Sequence, residues 1–280
     1  MKAYHENRLY HSSLPFSSTI VHNINFLAHW HNDLEFVYVY EGSIRMGINL
    51  ESRILHKGDM AFCCSGDIHY YDSSDCESTI LLVIFNPKVI GCPGGWPKDI
   101  RLASPFISTC DQENETTIGS VLPSRASELM LLLNRESEEK LLHQEMFITG
   151  MLYELCGMIL RHLHCEPADQ KKDKRRLTSM KVMQAVLDYL ESNCSGVITL
   201  EDAARQANMS LFYFSRFFKS TTGMSYISYL GHIRVNKAEE MLLNTNKSII
   251  DIALDCGFTN VRTFNRVFKQ FRNSTPSSFR

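Results

Sequence analysis

Ser210-Leu211-Phe212-Tyr213-Phe214-Ser215-Arg216-Phe217-Phe218-Lys219-Ser220-Thr221-Thr222-Gly223-Met224-Ser225 and Asn260-Val261-Arg262-Thr263-Phe264-Asn265-Arg266-Val267-Phe268-Lys269-Gln270-Phe271-Arg272-Asn273-Ser274-Thr275 are two copies of one pattern, 50 positions apart. Phe214 faces Phe264, Arg216 faces Arg266, Phe218 faces Phe268 and Lys219 faces Lys269. The phenylalanines recur at helical spacing. Ser210 and Asn260 are residue types that cap a helix start, and Gly223 and Asn273 are types that enter the left-handed conformation ending one. Upstream of each copy lie small residues, Ala203-Ala204 and Ala253, which let a second helix approach closely. Asn208 and Gly257 supply the permissive backbone of a tight turn. Each copy therefore reads as helix, turn, second helix, stop, which is a helix-turn-helix unit. The second turn is one residue longer than the first.

These residues resemble the AraC/XylS family of transcription regulators, whose DNA-binding domain joins two such units by a long helix. The family sequence elements stand here as Gly257-Phe258, Phe264-Asn265-Arg266-Val267-Phe268-Lys269 and Thr275-Pro276, with Arg234 and Ala238 on the linking helix. The resemblance covers roughly residues 178–280. There are two departures, Asn273 where the family usually has Gly, and Arg262 where it usually has a small polar residue. Asn tolerates the backbone that Gly would supply. Arg262 is expected to shift base preference.

Composition agrees with a two-part chain of 280 residues. Residues 171–280 carry 17 Lys and Arg against 9 Asp and Glu, whereas residues 1–170 carry 12 against 22. A basic part gains affinity for phosphates by counterion release, and an acidic part is repelled by them. DNA is expected to touch the C-terminal part alone. The run Lys171-Lys172-Asp173-Lys174-Arg175-Arg176 reads as a solvated interdomain linker. Nine cysteines at irregular spacing, with no Cys-x-x-Cys pair, speak against a disulfide framework or a zinc finger. No export signal or membrane-length apolar run is visible, so a cytoplasmic protein without a membrane partner is expected.

The N-terminal region changes to period two. Phe36-Val37-Tyr38-Val39-Tyr40 is followed by a break at Glu41-Gly42-Ser43, and short strands are expected at 53–56, 60–63 and 79–85. Such spacing implies a small β-sandwich or barrel. His29-Trp30-His31-Asn32-Asp33-Leu34-Glu35 with Gly42, then Gly58-Asp59 through Ser65-Gly66 to His69, resembles the two cupin motifs, with Cys64 in place of a Pro. That resemblance implies that His29, His31, Glu35 and His69 converge inside a barrel, a set suited to a divalent transition metal. The same groups could instead hydrogen-bond a small-molecule effector such as a carbohydrate, with Trp30 and Tyr38 as walls, although alternation must turn several of the aromatics away.

The overall expectation is an α+β chain in four parts. Residues 1–120 form a cupin-like effector domain, 121–168 a helical segment that dimerises or covers the barrel, 169–177 a linker, and 178–280 an all-α double helix-turn-helix domain. Leu129, Leu132, Leu133, Met146, Met151, Leu152, Leu155, Ile159 and Leu163 form the helical stripe, with a polar break at 135–140 and a loop at 86–111 as a lid. In the second recognition helix Asn260, Arg262, Thr263, Asn265, Arg266 and Lys269 form an open face rich in donors. Arg262, Asn265 and Arg266 are expected to carry the base readout. Ser210, Phe212, Ser215, Arg216 and Lys219 in the first would add apolar and phosphate contacts. The functional expectation is a one-component, homodimeric, non-enzymatic regulator of transcription that contacts RNA polymerase when it activates. Alternatives are a metal-dependent cupin enzyme fused to a DNA-binding domain, and a regulator whose N-terminal part only dimerises.

Overall fold

The computed structural model of the chain describes residue 10 and residues 13–97, 100–108, 121–162, 165–167 and 170–279. They divide into two compact units, one built around Trp30–Leu177 and the other around Thr178–Arg280.

The N-terminal part of the chain forms β1 (Phe16–His22), β2 (Phe26–His29), β3 (Leu34–Ile48), β4 (Glu51–His56), β5 (Met60–Cys63), β6 (His69–Asp72), β7 (Ser78–Phe85), β8 (Ile100–Leu102) and β9 (Phe106–Ile107), then α1 (Val121–Glu139), α2 (Gln144–His162) and β10 (Cys165–Pro167). β1 and β2 were not expected. The break expected at Glu41-Gly42-Ser43 is absent, because β3 continues through it with a shift of register between Val39 and Glu41. Gly42 makes this passage at φ +75°, and a Cβ there would lie 2.0 Å from the Glu77 carbonyl oxygen. The bulge bends the strand instead of ending it. Its first half pairs with β5 and β7, and its second half with β4 and β6. One strand thus serves both layers and curls the sheet into a small barrel.

Alternation along β3 separates two cores. Val37 and Val39 point inward with Met46, Leu55, Tyr71 and Leu82. Leu34 and Phe36 point the other way, where they pack with Phe62, Phe85 and Trp96 beneath Leu129, Leu133, Leu152, Leu155 and Ile159 of the two helices. Burying each such Phe or Leu contributes roughly 1.5–3 kcal/mol, and six of the eight described residues of the helical stripe, Leu129, Leu133, Met151, Leu152, Leu155 and Ile159, cover the barrel. Leu132, Met146 and Phe147 remain exposed. The polar run at 135–139 is the last turn of α1, and the real break follows it, with Lys140 and His143 at positive φ. Leu163 lies outside the described residues. In the described part of the 86–111 loop, Trp96 packs 6.4 Å from Phe36. That face is opposite Glu35, so Trp96 covers this core, whereas Phe106 of the same stretch joins Val37, Val39 and Tyr71 in the inner one.

The second unit uses α3 (Gln170–Asn193), which the 169–177 stretch enters at Gln170, then α4 (Leu200–Gln206), α5 (Leu211–Thr222), α6 (Tyr226–Asn244), α7 (Ile249–Asp255) and α8 (Val261–Arg272). The two copies of the repeat fold alike. Ser210 and Asn260 accept from the amides of Tyr213 and Thr263, and Gly223 and Asn273 end α5 and α8 at φ 76° and 51°. Asn208 and Gly257 occupy the turns at positive φ. In the first copy Phe218 packs edge-on to Tyr226 and Tyr229, and the Tyr226 hydroxyl donates to the carbonyls of Ile198 and Thr199. In the second, Phe268 lies between Phe264 and Phe279. α6 joins the copies as the linking helix.

Candidate functional site

Two groups of residues in this fold are placed for chemistry, one inside the barrel and one on the surfaces of α5 and α8.

In the barrel, β2 delivers His29, β3 delivers Glu35 just after His31, and β6 delivers His69. Their donor atoms all lie within 4.8 Å of one another, and none of the four residues is more than 2 % exposed. Each imidazole is oriented by its own backbone. Nδ1 of His29 donates to the Leu27 carbonyl at 2.9 Å, that of His31 to Asp33 at 3.0 Å and that of His69 to Asp67 at 3.0 Å. Because a carbonyl can only accept, all three Nδ1 atoms carry the proton, and Nε2 is the atom through which each ring acts on the cluster. Glu35 Oε2 lies 2.8 Å from His31 Nε2 and 3.4 Å from His69 Nε2. Three nitrogens and one carboxylate oxygen converging on one point could hold a divalent transition metal, and differ from the oxygen shells of calcium or magnesium.

Burial pushes the Glu35 carboxyl up, but the hydrogen bonds and charges of His31 and His69 together outweigh it and hold the group well below its ordinary 4.5. Burial also lowers His69, and there the hydrogen bond and negative charge of Glu35, together with Asp67, outweigh it and raise the group above 6.5. The signs fix a pH dependence for metal-free protein. The Glu35 contribution is present above 4.5 and lost as acid titrates the folded carboxyl. The His69 contribution is present below 6.5 and lost as pH rises through its raised folded value. Metal-free protein should therefore melt at a lower temperature at pH 8 than at pH 6. With saturating Zn²⁺ the order should reverse, because deprotonated imidazoles bind metal better. Thermal scans at both pH values check this, and an unchanged order with Zn²⁺ would count against a metal site.

Of the other residues expected here, Trp30 is half-buried, and Tyr38 is not brought to the cluster. It lies on the Phe36 face of β3 and packs under the helices. Tyr71 was missed. Its hydroxyl, from β6, donates to Glu35 Oε1, a cross-strand contact that no local pattern announces.

On α5, Phe214, Phe217 and Phe218 are buried, while Phe212, Ser215, Arg216 and Lys219 are exposed. The Arg216 guanidinium rests 5.6 Å from the Phe212 ring centre, and the Ser210 hydroxyl is engaged as the helix cap. On α8, Arg262, Asn265, Arg266 and Lys269 are exposed along one face, Thr263 is half-buried, and the Asn260 carbonyl caps the helix. The far end of α8 is fastened to α6. Arg272 donates to Glu239 at 2.8 Å and to Asn236 at 2.6 Å, and the Phe271 ring stacks on His232. Gly231 lets the helices meet, since a Cβ there would lie 3.2 Å from Val267. This clamp was also invisible in the sequence, which gave Arg272 no partner.

Among the described residues no helix is long and apolar enough to cross a membrane. Comparison with known proteins matches residues 203–280 to a helix-turn-helix domain family and residues 21–85 to a cupin domain family. The Transposon Tn10 TetD protein of Escherichia coli is 37 % identical over 99 residues, covering 35 % of this chain and 72 % of TetD. The uncharacterized HTH-type transcriptional regulator YdeC of Bacillus subtilis is 22 % identical over 271 residues, covering 95 % of this chain and 90 % of YdeC. The melibiose operon regulatory protein of Escherichia coli K12 is 24 % identical over 266 residues, covering 90 % and 83 %.

Proposed function

The chain belongs to the AraC/XylS family of transcription regulators, and from that premise we propose how its two parts act. The N-terminal barrel binds a divalent transition metal through His29, His31, Glu35 and His69 and senses a small-molecule signal. The C-terminal unit reads DNA with α5 and α8. The observation that carries the sensing half is the common orientation of three Nε2 atoms and one carboxylate oxygen in a buried cluster. A second reading is a carbohydrate effector bound by the same polar groups beside Trp30, supported by the likeness to a protein named for the melibiose operon. No catalytic role is assigned to the cluster. The exposed apolar residues of α2, Met146 and Phe147 with Leu142, are the surface for a homodimer. The connecting segment at 121–168 and the stretch at 169–177 link the sensing part, 1–120, to the reading part, 178–280. For the signal to alter transcription, it must bind one arrangement of these parts better than another, because equal affinity shifts nothing. RNA polymerase is the further partner where the outcome is activation.

DNA readout follows from the unlike surfaces of the two helices. Arg262, Asn265 and Arg266 present the groups that pair with guanine and adenine edges in the major groove. Phe212 suits a thymine methyl, and Arg216, Lys219 and Lys269 suit phosphates, with Ser210, Ser215, Asn260 and Thr263 completing the contact surface. The test is binding of the full-length protein to a duplex selected from a random pool and to an unselected duplex. Arg262→Ala should weaken the selected duplex by about 1–3 kcal/mol and leave the unselected one nearly unchanged. Equal loss on both would make Arg262 a phosphate contact and remove it from the readout.

A further inference from the structure

Glu35 presents its two oxygens to different surroundings, and from this we infer that Tyr71 is a specificity-determining residue of the barrel site. It holds Glu35 as a one-oxygen donor and so favours a nitrogen-seeking transition metal ion over an oxygen-seeking one. The inference rests on the reading of the cluster as a metal site.

β6 pairs antiparallel with the second half of β3, with Tyr71 opposite Met46 and His69 opposite Ile48. Tyr71 and His69 are two residues apart on one strand, so they share a face, and their rings meet edge-on with centres 6.1 Å apart. Glu35 comes from the first half of β3, and Tyr71 reaches across to it. The Tyr71 hydroxyl donates to Oε1, while Oε2 faces the Nε2 atoms of His31 and His69. Tyr71 is itself buried, so water does not compete freely for this bond. A carboxylate whose second oxygen is engaged by a phenol offers a metal one oxygen only. Ions that prefer six or more oxygens draw on bidentate carboxylates, whereas imidazole-rich sites suit transition metals that accept a single oxygen beside nitrogen. Replacing the phenol with benzene keeps the packing and frees Oε1 to turn into the cluster.

The experiment titrates full-length, metal-stripped wild type and Tyr71→Phe with Co²⁺, followed by visible absorption, and with Mn²⁺, followed by the electron paramagnetic resonance of the free ion. Loss of an outer-shell partner lowers metal affinity by roughly 10–100-fold, so Tyr71→Phe should lose about that factor for Co²⁺ and clearly less for Mn²⁺. Unchanged Co²⁺ affinity, or equal loss for both ions, overturns the role of Tyr71 while leaving the metal site standing. A wild type that takes up neither ion overturns the metal reading, and this inference with it. Should Tyr71→Phe fail to fold by circular dichroism, the ultraviolet difference spectrum of wild type on Co²⁺ loading decides. A perturbed tyrosine band is expected, and its absence overturns the role.

Discussion

Phe268→Ala should destabilise the C-terminal unit by about 3–5 kcal/mol, the usual result of truncating a fully buried aromatic. Phe268 has no exposed surface and touches the rings of Phe264 and Phe279. Folded domains are stable by only about 5–15 kcal/mol, so much of the margin of the second helix-turn-helix unit would be gone. The two parts can be followed separately. Both tryptophans, Trp30 and Trp96, lie in the barrel unit, whereas most of the helix is in the other. In urea, the helical signal of Phe268→Ala should be lost at a much lower concentration than in wild type, with the tryptophan fluorescence transition barely moved. A loss below about 1 kcal/mol, the scale of a tolerated hydrophobic swap, would show that the aromatic cluster is not what holds α8.

His31→Ala should abolish near-stoichiometric metal binding. The His31 imidazole is hydrogen-bonded to Glu35 at 2.8 Å, and its removal takes away one of three nitrogens and that orienting partner of the carboxylate. The loss should exceed the roughly 10–100-fold that follows removal of an outer-shell partner. Elemental analysis of purified, untagged wild type and variant at known protein concentration measures it. The wild type should also gain thermal stability with added Zn²⁺, by about 2.7 kcal/mol at a hundred times the dissociation constant, and the variant should not. Metal absent from both proteins would leave the cluster as the polar wall of an organic-ligand pocket. Calorimetric titration with sugars would then be the next measurement.

What could be read without coordinates was whatever obeys local rules. Capping by Ser210 and Asn260, the stops at Gly223 and Asn273 and the turns at Asn208 and Gly257 are each decided within a few residues, and all take the expected backbone conformation. The convergence of His29, His31, Glu35 and His69 was legible for a related reason, since two short motifs carry them. The misses are non-local. Gly42 reads as a strand break until the Glu77 carbonyl is seen against it. The polar run at 135–139 reads as a loop, although solvent on one side of α1 accounts for it. Tyr71 and Arg272 find their partners 36 and 33 residues away, and no period in the chain connects such positions. Tyr38 was a candidate wall because of its type, but strand alternation and packing place it on the other face.

The unlike surfaces of the two recognition helices carry one more implication. α5 exposes Leu211, Phe212 and Tyr213 beside Arg216 and Lys219, whereas α8 exposes arginine, asparagine and lysine with no exposed large apolar residue. Apolar contacts with DNA are nearly insensitive to ions but carry a negative heat capacity change, while contacts made by cations weaken steeply as salt rises. Temperature should therefore change the share of binding that α5 contributes more than that of α8, while salt should weaken the cationic contacts of both.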